Sequence, residues 1–418
     1  MDHIRRDVIA VSEEENGVAL QGLYRQWRKA AAVAAAFWLL LYFVLAGFWP
    51  EGVGRWAVLT AVFLGYNLYL LRRALPDNQR EGEAVLLPGL GWGNWLTLLR
   101  GLAVSLLAGF LFSPWPLGAL AWLPVLLYLA AAVADFFDGY LARIHNQATR
   151  LGAWLDMHFD GQGTLIVIAL AIWYGQLPSW YLSVGVARYL FILGLWQREQ
   201  RGLVTRPLPP STHRRIVAGF QMGFLAVVLW PILPAEAVTL AGTIFALATL
   251  ASFSRDWLVV GGRIDPHSAV YRRWQRRLAG WIGGWLPLAA RLILAAALWQ
   301  IVIRLPALWP PPVAWTAVWQ SWRMPGAVVL TAVFALFVPL LGLAAVSGTL
   351  TRLAAFGLLF PVGSDIVAYG LNWPNGLALA ALTLLMLFGG GRLALWRPEE
   401  QFMTHRAGET KRQEAGEK

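Results

Sequence analysis

Blocks of about twenty consecutive apolar residues recur along most of the chain, and this constrains the fold more than any other feature. In lipid, every backbone N–H and C=O must find a partner within the chain, which leaves helices or a closed barrel. No alternating barrel pattern is present, so the blocks are expected to be helices. Twelve candidate spans lie near 30–49, 56–72, 94–113, 118–137, 153–174, 179–197, 214–233, 236–254, 284–304, 325–348, 350–371 and 375–391. The composition agrees: 58% of the residues are hydrophobic and only 14% are charged, too few for a soluble domain of this length. The expected fold is an all-α polytopic membrane protein of about 12 transmembrane helices.

The basic residues order these spans. Arg25, Arg28, Lys29, Arg72, Arg73, Arg143, Arg150, Arg198, Arg201, Arg214, Arg215 and the arginines of 255–277 fall on one side. Arg55, Arg304 and Arg323 fall on the other. By the positive-inside bias, the rich side and both termini are expected to be cytoplasmic, in a bacterial inner membrane. Met1 to Glu15 are charged and have no apolar core, so no cleavable signal peptide is expected there. The net charge of +11 sits beside apolar blocks rather than in a separate basic domain, which argues for lipid and against nucleic acid.

Two stretches have amphipathic helical spacing. Leu20, Leu23, Tyr24 and Trp27 form one apolar stripe, expected to lie at the lipid interface. Val270, Tyr271, Trp274 and Leu278 form another, flanked by Arg272, Arg273, Arg276 and Arg277. This second one fits a helix lying on anionic lipid, or equally a charge cluster that sets topology.

The stretch with chemical content reads D-x2-D-G-x2-A-R-x8-G-x3-D-x3-D, from Asp135, Asp138, Gly139, Ala142 and Arg143 to Gly152, Asp156 and Asp160. Asp135 and Asp138 are three apart near the end of one apolar block, and Asp156 and Asp160 are four apart near the start of the next. Each pair therefore shares a helical face. The short connection makes the two helices antiparallel neighbours, so all four carboxylates are expected at one depth. Four converging carboxylates repel each other and call for a cation. Cysteine is absent, so the ligands are oxygens, which suit Mg²⁺, with Mn²⁺ as the alternative ion. Four carboxylates can hold two such ions, an arrangement used in phosphoryl displacement. Gly139 and Ala142 leave a shallow groove, Arg143 can grip a phosphate oxygen, and Gly152 allows close helix approach.

This pattern resembles the signature of the CDP-alcohol phosphatidyltransferases at all eight defining positions, over about residues 90–258. Upstream, Asn94, Thr97 and Arg100 resemble a motif at the start of the family's first span; an ordinary helix cap with a snorkelling arginine is the alternative. The resemblance implies a six-helix catalytic core that moves a phosphatidyl or other substituted phosphate group from a CDP-alcohol, with CDP-diacylglycerol the expected donor. An acceptor alcohol attacks and CMP leaves. Asp135, Asp138, Asp156 and Asp160 would hold metal, with Asp160 also the general base. Gly139, Ala142 and Arg143 would line the CDP site together with Asn94 and Thr97. The implied partners are the donor lipid, an acceptor alcohol, membrane lipids and a second copy of the chain in a homodimer.

Arg188 lies in the middle of an apolar block, where a charge is costly and functional by default. It is expected to hold an acceptor phosphate or carboxylate, or else a structural pair. Arg215 with Gln221 partly resembles a Lys-x-x-Thr-x-x-Gln pattern of phosphatidylglycerolphosphate synthases, with Ala218 where the threonine would stand. Arg215 is thus a second expected acceptor residue, and the acceptor itself stays open. His145, His158 and His213 flank the motif and are expected off the metal.

The expected organisation is an interfacial segment with a two-span extension over 1–89, a catalytic domain over 90–258, a basic amphipathic connector over 259–281, a four-span region over 282–392 and a polar tail over 393–418. Pro306, Pro310, Pro311 and Pro312 mark a rigid outer loop. A twelve-span transporter and an inactive scaffold of the same fold are the competing classes. No repeat relates the two halves, and the acidic cluster sits at the end of the spans rather than at mid-bilayer. All four aspartates are present, which argues against a retired site.

Overall fold

The computed structural model describes residues 2–145, 147–208, 212–303, 312–321 and 326–398. Among the described residues there is no strand, only two isolated bridges. The helices are α1 (Asp2–Phe48), α2 (Pro50–Ala74), α3 (Gly91–Ala108), α4 (Leu123–Ile144), α5 (Arg150–Trp173), α6 (Leu182–Gln200), α7 (Thr212–Val228) and α8 (Ala235–Val260). They continue with α9 (Ala269–Gly280), α10 (Leu286–Ile303), α11 (Val313–Ser321), α12 (Ala327–Ser347), α13 (Thr351–Tyr369) and α14 (Trp373–Phe388). Each of the twelve expected segments overlaps one of these helices, but those near 56–72, 94–113, 179–197, 214–233 and 375–391 are not among the stretches long and apolar enough to span. Among the described residues, seven stretches are long and apolar enough to cross a membrane: Glu15–Phe48, Gly118–Gly139, Arg150–Trp173, Ala235–Val260, Ala269–Val302, Ala327–Ser347 and Thr351–Tyr369. The protein is therefore an all-α, polytopic integral membrane protein.

The chain forms two compact units, Met1–Gly175 with Leu225–Pro231, and Gln176–Phe224 with Ile232–Lys418. The division falls inside the stretch 90–258 and joins α1 and α2 to the aspartate-bearing helices.

In the first unit α3 packs against α2, α4 and α5. The Leu20, Leu23, Tyr24 and Trp27 stripe of α1 faces protein rather than lipid. It packs with Leu71, Leu75, Leu90, Leu151, Leu155 and Phe159, and Leu23 is fully buried. The apolar surface of α2 and α5 supplies what the stripe needs, and Trp27 Nε1 donates to the Leu68 carbonyl at 2.9 Å. The polar segment between α2 and α3 is also part of the packing. Asn78 is fully buried and donates to the carbonyls of Leu87 at 3.1 Å and Gly89 at 3.0 Å. The Arg150 amide donates to the Gln79 carbonyl at 2.9 Å, which ties this segment to the start of α5.

In the second unit α10, α12, α13 and α14 share a core around Leu294, Ala345, Leu358 and Leu382. Asn372 and Asn375 form a capping box at the start of α14, which satisfies two orphan amides. The same Asn375 donates to the buried Asp365 at 3.0 Å, so this intramembrane acid is part of a helix-end network. Arg291, 6% exposed, donates to the carbonyls of Val346, Gly390, Arg392 and Leu393. It ties the end of α12 to the chain leaving α14. Residues 393–398 of the expected tail are seated, with Thr349 and Trp396 paired. Residues 399–418 and the prolines Pro306, Pro310 and Pro311 lie outside the described residues.

Candidate active site

Three helices of the first unit build the site. Helix α3 carries Asn94, Thr97 and Arg100 at three-residue spacing, on one face, and all three are buried. Helix α4 carries Asp135, Asp138 and Gly139, and α5 carries Gly152, Asp156 and Asp160. Close approach explains how α3 and α5 reach each other. A Cβ on Gly101 would lie 2.5 Å from the Phe159 ring, and one on Gly152 would run into the Asn94 side chain.

Helix α5 starts at Thr149, whose hydroxyl accepts from the Gly152 amide at 3.0 Å, a normal N-cap. Asn94 fixes that cap from α3. Its amide donates to Thr149 Oγ1 and to Asn78 Oδ1, each at 3.2 Å. The side chain, expected at the nucleotide, is 4% exposed and occupied in bracing the first turn of α5.

The four aspartates gather around Arg100, whose side chain is 3% exposed. Its Nη1 contacts Asp135 and lies 3.6 Å from Asp138 Oδ2. Its Nη2 lies 2.7 Å from Asp156 Oδ1 and 3.6 Å from Asp160 Oδ1, and donates to the Asp156 carbonyl at 2.6 Å. The snorkelling alternative for Arg100 is thereby overturned: its guanidinium turns inward to the carboxylates. Thr97 Oγ1 lies 2.9 Å from Asp138 Oδ2 and 3.1 Å from the Gly93 carbonyl, so its one proton serves one acceptor at a time.

Asp135, Asp156 and Asp160 each offer a carboxylate oxygen, and these atoms lie within 4.8 Å of one another. Their side chains are 25%, 45% and 33% exposed, against 8% for Asp138. Four carboxylates against one guanidinium leave a formal charge of −3 in a partly buried pocket, a deficit that a single arginine cannot cover. The donor set is all oxygen and closely spaced. It fits a hard divalent cation, and this cluster could bind one.

His158 lies on α5 against Trp154 and Tyr66, away from the cluster of carboxylate oxygens. Ala142, Arg143 and Arg215 lie on helices, but their side chains, like that of His213, are outside the described residues. Arg188 is half-buried on α6 of the second unit. Gln221, also in that unit, donates to the Tyr181 hydroxyl at 3.0 Å and accepts from Thr249 at 3.2 Å, so its amide is held within the protein. Tyr128, not singled out from the sequence, is a further buried residue of α4. Its signal was present: Tyr128, Asp135 and Asp138 share a face at spacings of seven and three.

The family model described as CDP-alcohol phosphatidyltransferase matches residues 91–254. Curated relatives carry the name CDP-diacylglycerol--glycerol-3-phosphate 3-phosphatidyltransferase. The protein from Salmonella choleraesuis is 34% identical over 146 residues, which cover 32% of this chain and 74% of the relative. That from Yersinia pestis is 30% identical over 175 residues, 39% of this chain and 88% of the relative. That from Cereibacter sphaeroides is 34% identical over 108 residues, 24% of this chain, and there the chain spans about half the relative's length, 47%. No solved structure matches the chain. The matched stretch contains all four aspartates and Arg100, and two relatives are covered over most of their length. The chain therefore belongs to the CDP-alcohol phosphatidyltransferase family, as a membrane transferase of phospholipid biosynthesis.

Proposed function

We propose that the chain transfers the phosphatidyl group of CDP-diacylglycerol to glycerol 3-phosphate and releases CMP, at the cytoplasmic face of a bacterial inner membrane. One observation carries the reading: Asp135, Asp156 and Asp160 present carboxylate oxygens within 4.8 Å of one another, beside the buried Arg100. The donor and acceptor come from the names of the relatives, and the orientation from the bias of basic residues. The catalytic domain is taken as 90–258, preceded by the 1–89 extension and followed by the 259–281 connector, the 282–392 region and the 393–418 tail.

Asp135, Asp138, Asp156 and Asp160 would hold Mg²⁺, two ions by their number, which would supply positive charge to offset that of the diphosphate. The protein's own groups do the rest. Asp160, one-third exposed, accepts the proton of the acceptor hydroxyl. The freed oxygen bonds to the lipid-linked phosphorus, and the bond from that phosphorus to the CMP oxygen breaks. Arg100 holds Asp135 and Asp156 in fixed relative positions and removes part of their repulsion. Thr97 orients Asp138. Gly139, Ala142 and Arg143 receive the CDP moiety, and Asn94 contributes by fixing the start of α5. On sequence grounds, Arg188 and Arg215 are assigned to the acceptor's phosphate.

The test is CMP release by purified protein with CDP-diacylglycerol and Mg²⁺, across glycerol 3-phosphate, inositol phosphate and serine. Release with glycerol 3-phosphate alone supports the proposal. Release only with another acceptor keeps the reaction class and rejects this substrate.

A further inference from the structure

Outside the matched stretch, α9 has the sequence AVYRRWQRRLAG, with four arginines and no acid. None of its residues is buried. Val270, Trp274 and Leu278 are 67%, 58% and 53% exposed, and Trp281 of the following turn is 67% exposed. At 100° per residue these four lie within one sector of the helix. Arg272, Arg273, Arg276 and Arg277 occupy the adjoining sector, and the first three line one shallow groove. Ser268 caps the helix by accepting from the Tyr271 amide at 3.1 Å, so the helix has its own start signal. Through a π turn at Trp281–Trp285 it runs on into α10, within the apolar stretch Ala269–Val302.

We infer that α9 is a docking surface for anionic bilayer lipid, lying in the headgroup plane with Val270, Trp274, Leu278 and Trp281 in the acyl boundary and its arginines on lipid phosphates. Three observations choose this occupant. The arginine sector is complementary to an anionic surface. The aromatic and aliphatic sector beside it matches an interfacial helix. Continuity with a membrane-crossing stretch keeps the helix at the end of a span. The seating also reaches beyond α9. The Tyr271 hydroxyl accepts from Arg255 Nε at 3.0 Å, Arg255 pairs with the buried Asp256 at 2.8 Å, and Asp256 pairs with Arg214 at 3.2 Å. The docked helix is thus tied to the ends of α8 and α7.

The chain has no cysteine, which makes single-site labelling clean. Leu278→Cys and, as the polar-face control, Gln275→Cys would each carry an environment-sensitive fluorophore in the full-length protein. The protein would be placed in nanodiscs of phosphatidylcholine alone or with a third of it replaced by phosphatidylglycerol, each with a lipid-borne quencher. The inference expects quenching at 278 that rises with anionic lipid and falls with added salt, while 275 stays unquenched. Each Arg→Gln change on α9 should lower the docked-to-undocked ratio about fivefold in anionic discs. Arg276→Gln alone serves if the variant with all four α9 arginines changed to glutamine does not fold. Equal quenching at 278 in both lipids overturns the inference. So does no quenching in either, or protection of 278 by an added oligonucleotide in place of lipid.

Discussion

Arg100 reaches Asp156 twice, with Nη2 2.7 Å from the carboxylate Oδ1 and 2.6 Å from the backbone carbonyl. A buried guanidinium from α3 therefore sets both the position and the side-chain direction of an α5 aspartate, while its other nitrogen holds Asp135 of α4. One residue fixes the relative placement of two helices at the point where their carboxylates meet.

Arg100→Gln is expected to lower kcat/KM for CMP release by about 100-fold, the cost of a displacement near 1 Å in a reacting constellation. Arg100→Lys should recover only part of this, because an ammonium lacks the planar fork that spans two helices. Steady-state kinetics on both variants is the check. Equal activity in all three proteins contradicts the role given to Arg100.

Gly152→Ala should destabilise the protein by about 1–3 kcal/mol. Its new methyl would run into Asn94, whose side chain is anchored at both Thr149 and Asn78 and cannot yield cheaply. Gly65→Ala, on α2 with nothing within 4 Å of the added carbon, is the matched control and should leave the melting temperature unchanged or slightly raised. Thermal unfolding in detergent compares the two.

Thr97→Val removes the hydroxyl that lies 2.9 Å from Asp138. A hydrogen bond to a charged group contributes about 1.5 kcal/mol or more, so activity should fall about tenfold. Thr97→Ser should keep most of it. A Thr97→Ser variant as impaired as Thr97→Val would mean that the methyl, and not the hydroxyl, matters.

Leu23→Ala tests the placement of α1. A fully buried leucine in a protein core costs about 2–5 kcal/mol when truncated, whereas one lying in lipid would cost little of the protein's own stability. A large drop in melting temperature is expected. A negligible one returns the stripe to the membrane surface.

The apolar blocks and the spacing of Asp135, Asp138, Asp156 and Asp160 made the helices and the acidic site legible, because length, period and charge repulsion are local properties. The rest depended on partners distant in sequence. Leu20, Leu23, Tyr24 and Trp27 have the same amphipathic spacing whether a lipid surface or α2 and α5 cover them, and only the fold distinguishes these. Arg100 had a snorkelling cation as its alternative reading, since its distance from Asp135 and Asp156 is set by tertiary packing. Asn94 was expected at the nucleotide, yet its amide is held by Asn78 and Thr149, residues 16 and 55 positions away. Asn78 itself sat in what reads as a polar linker.

The central claim is that the aspartate cluster performs metal-dependent transfer with Asp160 as base. The most direct measurement is CMP release from CDP-diacylglycerol and glycerol 3-phosphate by Asp160→Asn beside the unaltered protein, each with Mg²⁺ and again after chelation by EDTA. The unaltered protein should be active, with EDTA abolishing the activity and Mg²⁺ restoring it. A loss of about 100-fold or more is expected in Asp160→Asn, the scale of a missing general base, with the folded state retained by thermal unfolding. Full activity in Asp160→Asn, or release of CMP undiminished by EDTA, would contradict the claim.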